Sequence, residues 1–371
     1  MTPWHSANLG DAISSIDTPA LILDLDAFER NIELMASVLK EKGIRLRAHA
    51  KSHKCPEIAK IQVAKGAIGI CCQKVSEAAV FVEAGIKDVL ITNQIISPTK
   101  VKKLFELARS ARMGILVDHP KQVAVLLAEA RLTWLEIDVY VEVNVGSNRC
   151  GVSPGKDAVA LARLIAESAP LRFAGLHCYQ GSAQHLRLPT ERKKAIEEAS
   201  KLAEDIRDAL VAEGMACPRV TGAGTGTFLN ECDSGIFDEV QAGSYIFMDR
   251  DYSENQLEAN DLHFEHALFI QATVMSYPEP HRAVLDAGLK AFSVDSGMPA
   301  VWKRPDLKLT KASDEHGVLE VSDPSRINLG DCLTLIPGHC DPTVNLYDEL
   351  ICIRNNRVEA IWPISARGAL L

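Results

Sequence analysis

The sequence predicts an α/β fold: a parallel (β/α)8 barrel of TIM type followed by a second, mainly antiparallel β domain. Three observations carry this. Eight apolar runs of strand length are each followed by a helical pattern or a short turn, and strands apolar on both faces fit a closed parallel sheet wrapped in helices. The first strand-to-helix turn, Asp24-Leu25-Asp26, lacks the GxGxxG of an open dinucleotide-binding sheet. Past residue 255 the helical patterns stop, and short apolar runs alternate with Gly, Pro, Asp and Asn.

Taken in order, a polar lead ends at Asp17-Thr18-Pro19, which punctuates a first strand at 20–25. Residues 27–41 then place Phe28, Ile32, Met35 and Leu39 at helical spacing, and Lys42-Gly43 closes the turn. The couplet repeats, with strands expected at 46–51, 66–72, 88–93, 112–118, 138–145, 172–179 and 219–226. Helices fall near 55–65, 75–84, 98–109, 120–130, 154–168 and 188–213. Residues 17–255 therefore read as the barrel, and 256–371, with part of 1–16, as the β-rich domain. The boundary is expected near 250–262. Strands of the second domain are expected at 267–274, 283–285, 332–336 and 350–353.

A chain of 371 residues with 47% apolar content has material for a large core. Its net charge of -9, with no long Lys/Arg tract, argues against a nucleic-acid partner. Residues 1–16 have neither a basic start nor an apolar run, and no segment approaches the uncharged ~20 residues of a membrane span, so a cytoplasmic protein is expected. The ten cysteines include no CxxC pair, and Cys71, Cys72, Cys150, Cys178 and Cys352 sit in apolar or Gly-flanked runs, as reduced thiols do.

In such a barrel the active site lies at the C-terminal ends of the strands. Those ends carry Lys51, Gln73, Asn93, Asp118, Arg149, Tyr179 and the loop 222–227. Strand alternation would put Arg47, His49 and Lys51 on one face. An amine partly desolvated among other cations has a lowered pKa and attacks carbonyls. Arg149 could neutralise an oxyanion, Tyr179 could lie against a flat ring, and Gly224, Thr225 and Gly226 could offer backbone N–H groups to a phosphate. Each also has a plainer reading: a solvated strand-end charge, an ion pair of Arg149 with Glu142, a packing tyrosine, a tight turn before a helix. Their shared rim is what lifts the set, and a lysine, an aromatic platform and a phosphate nest together suggest pyridoxal phosphate.

A second cluster, Pro337-Gly338-His339-Cys340-Asp341-Pro342, lies in the β-rich part. If extended, it puts His339 and Asp341 on one face with Cys340 pointing away. An imidazole and a carboxylate suit a divalent ion such as Mn²⁺ or Zn²⁺, and an ordinary turn is the alternative.

These stretches resemble a known family. Asp17-Thr18-Pro19-Ala20, HAKSHKCPEIA (49–59), GICCQKVSEA (69–78), VNVGSNRCGV (143–152), GAGTGT (222–227), QAGSYIFMD (241–249), DAGLK (286–290), DEHG (314–317), PGHCDPTVN (337–345) and residues 364–368 are similar to the low-specificity D-threonine aldolases. That family belongs to the alanine-racemase-like, fold-type III pyridoxal-phosphate group, near D-serine dehydratase and D-threo-3-hydroxyaspartate dehydratase. The resemblance covers the chain from about residue 17 to its end.

The resemblance implies that Lys51 carries pyridoxal phosphate covalently, Arg149 contacts its ring phenolate and Tyr179 lies by the ring. The phosphate would sit among Gly224, Thr225 and Gly226, with Gly243, Ser244 or Tyr245. Gln241 stands where racemases have an arginine opposite the pyridine nitrogen, a departure that leaves that atom's partner open. His339 and Asp341 would bind a divalent metal: Mn²⁺ first, with Mg²⁺, Co²⁺ or Zn²⁺ as alternatives. Aspartate rather than cysteine as second ligand favours the aldolase branch. The implied reaction is retro-aldol cleavage of D-threonine and other D-3-hydroxy amino acids to glycine and an aldehyde, with His339 or a metal-bound water as base and Lys51 returning the proton to Cα. The alternatives are a D-serine or D-threo-3-hydroxyaspartate dehydratase giving a 2-oxo acid and ammonia, a non-catalytic pyridoxal-phosphate-binding protein, and a metal-dependent barrel hydrolase. A homodimer is expected, with the β domain of one subunit covering the barrel mouth of the other.

Overall fold

The computed structural model describes residues 6–258 and 262–371. Residues 1–5 and 259–261 lie outside it, and with them part of the lead assigned to the β-rich domain and part of the stretch expected to hold the boundary.

Eight parallel strands close a barrel: β2 (Arg45–His49), β3 (Gly69–Cys72), β4 (Asp88–Ile91), β5 (Arg112–Val117), β6 (Ile137–Glu142), β7 (Leu171–Cys178), β8 (Val220–Gly222) and β9 (Glu239–Val240). The ring shuts where β2 pairs with both β3 and β9. One expected member is missing from it. Strand β1 (Ala20–Asp24) pairs antiparallel with β10 (Leu268–Glu279) and parallel with β16 (Glu349–Arg354), so it is a central strand of the second sheet. It is apolar on both faces because that sheet is covered on both sides, a pattern that cannot be told from a barrel strand by composition. Its place in the barrel is taken by β9, whose two residues are too few to show as an apolar run.

Helix α1 (Leu25–Lys42) links the two units. Asp24 Oδ1 caps it by accepting the Asp26 and Ala27 N–H groups at 3.0 and 3.1 Å, and Gly43, at φ 68°, ends it in the left-handed region. Its buried face, Phe28, Ile32, Met35 and Leu39, shares one apolar core with Leu46 and Val240 of the barrel and Leu268, Ile270 and Leu350 of the sheet. That common core seats the second unit against the barrel beside β2 and β9.

The second sheet adds β11 (Arg282–Leu285), β12 (Ala300–Val301), β13 (Leu307–Ala312), β14 (Gly317–Val321), β15 (Cys332–Ile336) and β17 (Arg357–Pro363). All its pairings are antiparallel except that of β1 with β16. All ten cysteines are free thiols. Among the described residues no helix is long and apolar enough to cross a membrane.

Candidate active site

A cleft of about 590 Å³ opens at the C-terminal ends of the barrel strands. Of the residues expected there, Lys51, Gln73, Arg149, Tyr179, Gly224, Thr225, Gln241, Gly243 and Ser244 line it. Strand β2 stops at His49, and the chain turns through a 3-10 turn, Ala50–Ser52, so Lys51 reaches the cleft from a turn rather than by strand alternation. Lys54 is buried away from the cleft, where its amine pairs with Glu77.

The setting of Lys51 differs from the one expected. Its amine donates to Asp341 Oδ2. Burial works against the ammonium, but the Asp341 carboxylate and the Tyr179 phenol outweigh it, and the Lys51 pKa is raised, not lowered. The neighbouring imidazoles add no opposing charge. Burial, followed by Lys51, holds His49 well below its usual range, and burial lowers His177 as well. Asp341 gains reciprocally: burial opposes its charge, yet Lys51 and His339 hold it at about 2.

His339 and Asp341 do not share a strand face. His339 is extended, and Asp341 falls in the first turn of the short helix Cys340–Val344. The bend turns Asp341 toward Lys51, while His339 Nδ1 lies 2.8 Å from Asp295 Oδ2 and leaves Nε2 as its available nitrogen. Among the described residues no group of three or more His, Cys, Asp or Glu side chains is placed to hold a metal ion.

Arg149 is 55% exposed; its guanidinium lies 5.5 Å from the Tyr179 ring centre and 3.8 Å from Glu142 Oε1. Gln73 Nε2 lies 3.1 Å from both His49 Nε2 and Thr92 Oγ1. Gln241 Nε2 donates to Thr221 Oγ1 at 2.8 Å, and its Oε1 lies 3.1 Å from His177 Nε2. Thr221 donates onward to Glu239 Oε1 at 3.0 Å. Because the Glu239 carboxylate only accepts, this chain settles which end of the Gln241 amide faces Thr221. His177 Nδ1 is buried with no hydrogen-bond partner among the described residues.

Two expected phosphate residues face elsewhere. The Gly226 N–H donates to Gln184 Oε1 at 2.9 Å, and Gly226 borders a neighbouring cavity of about 970 Å³ across the loop. The Tyr245 phenol is buried, where it accepts from Gln62 Nε2 at 3.1 Å; only its backbone N–H reaches the loop, donating to Thr225 Oγ1 at 3.0 Å. Beneath the loop, Gln184 Nε2 donates to Thr227 Oγ1 at 2.7 Å, and Thr227 donates to Glu231 Oε1 at 2.8 Å. Burial pushes the Glu231 carboxyl up to about 8. Asn93 and Asp118 are off the cleft, bonded to the Gln73 carbonyl and the Gly151 N–H.

The sequence reading missed Thr92, His177 and Tyr252 on the cleft wall. His177 was within reach, because it stands two residues before Tyr179 and shares its face. Tyr252 lies beyond the last barrel strand, where no pattern marks it. Against its ring, at 5.7 Å between centres, lies His185, whose Nδ1 is hydrogen-bonded to Asp251 Oδ2 and whose side chain is 48% exposed.

A parallel barrel with a lysine at its mouth, joined to an antiparallel sheet that brings a carboxylate to that lysine, defines an alanine-racemase-like chain. The family model for the alanine racemase N-terminal domain matches residues 23–251, and that for the putative serine dehydratase domain matches 267–353. The chain is 45% identical to a D-threonine aldolase of Arthrobacter sp, over 98% of this chain and 96% of that protein. It is equally 45% identical to a 3-hydroxy-D-aspartate aldolase of Paracoccus denitrificans (strain Pd 1222), over 96% and 93%. The crystal structure of D-threonine aldolase from Filomicrobium marinum superposes with a TM-score of 0.97 at 48% identity, covering 99% of this chain and all of that one. A D-threo-3-hydroxyaspartate dehydratase of Delftia sp. is more distant, at 29% identity over 90% and 93%, and a cysteine variant of that dehydratase has been solved in a metal-free form. The chain belongs to the D-threonine aldolase family.

Proposed function

We propose that this chain is a pyridoxal-phosphate and divalent-metal dependent aldolase that cleaves D-threonine and other D-3-hydroxy amino acids to glycine and an aldehyde. One observation carries the reading: Asp341, from the second unit, meets Lys51 at the barrel mouth of its own chain.

The cleft fits the cofactor on its own terms. It sets two cations, Lys51 and Arg149, against an aromatic edge, Tyr179, and keeps His49 and His177 neutral, which suits a flat anionic ligand. His177 Nδ1 is buried without a hydrogen bond, 3.8 Å from Glu142 Oε1. Lys51 would hold the cofactor, Arg149 its phenolate, and the Gly224, Thr225, Gly243 and Ser244 backbone its phosphate, with Gln241 on the same cleft wall. When bound, the cofactor delocalises the electron pair left at Cα as the Cα–Cβ bond breaks.

The metal fits through charge. The Asp341 carboxylate, little exposed, has its charge balanced in this structure by the Lys51 ammonium. With the Lys51 amine committed to the cofactor, Asp341 and His339 Nε2 would hold a divalent ion, which would supply Lewis-acid chemistry at the substrate hydroxyl. His339 then has no lone pair left for a proton, because Asp295 takes its other nitrogen. We assign the base to His185, whose Nδ1 is held by Asp251 and whose ring lies against Tyr252 of the cleft wall. Lys51 returns the proton to Cα.

Asp341 rather than cysteine at the second ligand, and the nearer aldolase relatives, favour cleavage over dehydration. Mn²⁺ as the ion, a homodimer and a cytoplasmic location complete the proposal. The direct test is the visible absorbance of the purified, cofactor-loaded protein: K51A should lack the band of the lysine-bound cofactor, and a variant that kept both the band and full turnover would overturn the assignment.

A further inference from the structure

Asp249 has no exposed surface and immediately precedes the short helix Arg250–Ser253. Its Oδ1 accepts the Tyr252 N–H at 3.0 Å, which caps that short helix. A cap needs only one oxygen. The other, Oδ2, accepts the Cys340 N–H at 2.9 Å, and Cys340 lies between His339 and Asp341. The backbones are joined beside this bond as well: the Arg250 N–H donates to the Pro337 carbonyl at 3.0 Å, and the Asp251 N–H to the Gly338 carbonyl at 3.2 Å. On the far side of the loop, a Cβ on Gly338 would lie 2.1 Å from the Gly297 carbonyl oxygen, so the loop has no room to retreat that way. The stretch 337–340 is therefore gripped from both sides. Burying a carboxylate is costly unless its oxygens are paired, and here both are committed to backbone donors.

We infer that Asp249 is a positioning residue for the divalent metal: by anchoring Cys340 to the end of the barrel it presents His339 and Asp341 as a pair, without touching the ion. This rests on the metal reading above. Without the Oδ2 bond the Cys340 N–H is left unpaired, and the turn between the two ligands loses its link to the barrel end. The same clamp passes through Asp251, whose side chain orients His185, so it also sets the two rim imidazoles in one frame.

The test is Mn²⁺ affinity of the cofactor-loaded protein, read by electron paramagnetic resonance, for wild type, D249S and D249N. Serine keeps the helix cap but has no second oxygen for Cys340. D249S is expected to weaken Mn²⁺ binding by about 10–100-fold, the range seen when outer partners of metal ligands are lost, while the visible cofactor band and the unfolding midpoint stay close to wild type. D249N keeps a single carbonyl oxygen and sets an amide N–H against the other backbone donor, so it too should weaken Mn²⁺ binding, and it decides the matter alone if D249S does not fold. Unchanged Mn²⁺ affinity in the variants overturns the role of Asp249. A wild type that binds no Mn²⁺ overturns the metal reading itself, so the two failures are distinct.

Discussion

Lys51 and Asp341, 290 residues apart in sequence, form an ion pair across the seam between the barrel mouth and the second unit. In this structure the ammonium occupies the carboxylate proposed to hold the metal. Loading the cofactor would commit that amine and release Asp341, so Mn²⁺ is expected to bind the loaded protein more tightly than the empty one. By linkage, Mn²⁺ must tighten cofactor binding by the same factor. Titrating Mn²⁺ into both forms measures this, and equal affinities would contradict it. D341N removes the charge and should abolish the Mn²⁺ dependence of turnover.

The two rim imidazoles should separate in their effects. H185A is expected to lower kcat by about 10²–10⁴-fold, the usual worth of a positioned base, with Mn²⁺ affinity unchanged. H339A should weaken Mn²⁺ binding instead, with part of the lost activity regained at high Mn²⁺. Steady-state kinetics at several Mn²⁺ concentrations distinguish them; the reverse pattern would move the base to His339.

Glu231 gives the pH prediction. Its carboxyl is raised by burial from the usual 4.5 to about 8, so the folded chain holds a proton that the unfolded chain has lost. Its stabilising contribution is complete below about 4.5 and is lost as pH rises toward about 8. E231Q keeps the shape without the proton. Thermal unfolding across this range should show a flatter pH dependence in E231Q and a higher midpoint than wild type at the alkaline end. Parallel curves would show that Glu231 is ionised in the folded chain.

The barrel was legible because its longer strands are apolar on both faces and separated by amphipathic helices, and Lys51 was legible because polar residues crowd the end of β2. What the sequence hid follows from the same physics. β1 carries the barrel signature but is a central strand of the other sheet, and β9 is too short to carry any signature. The charge state of Lys51 depends on a carboxylate delivered by tertiary structure, so local reading put its pKa on the wrong side. His339 and Asp341 were paired by strand alternation, whereas a helix begins between them. Gly226 and Tyr245 belong to the right loops, but side chains packed behind those loops, Gln184 and Gln62, claim their polar groups.

Aldol cleavage and dehydration draw on the same cleft and part only at which bond to the substrate breaks. The decisive measurement is the product from D-threonine with the cofactor-loaded protein and Mn²⁺, following acetaldehyde, glycine and 2-oxobutyrate separately. Glycine and acetaldehyde are expected in equal amounts, with turnover lost on adding EDTA and restored by Mn²⁺. Formation of 2-oxobutyrate and ammonia in their place would contradict the aldolase reading.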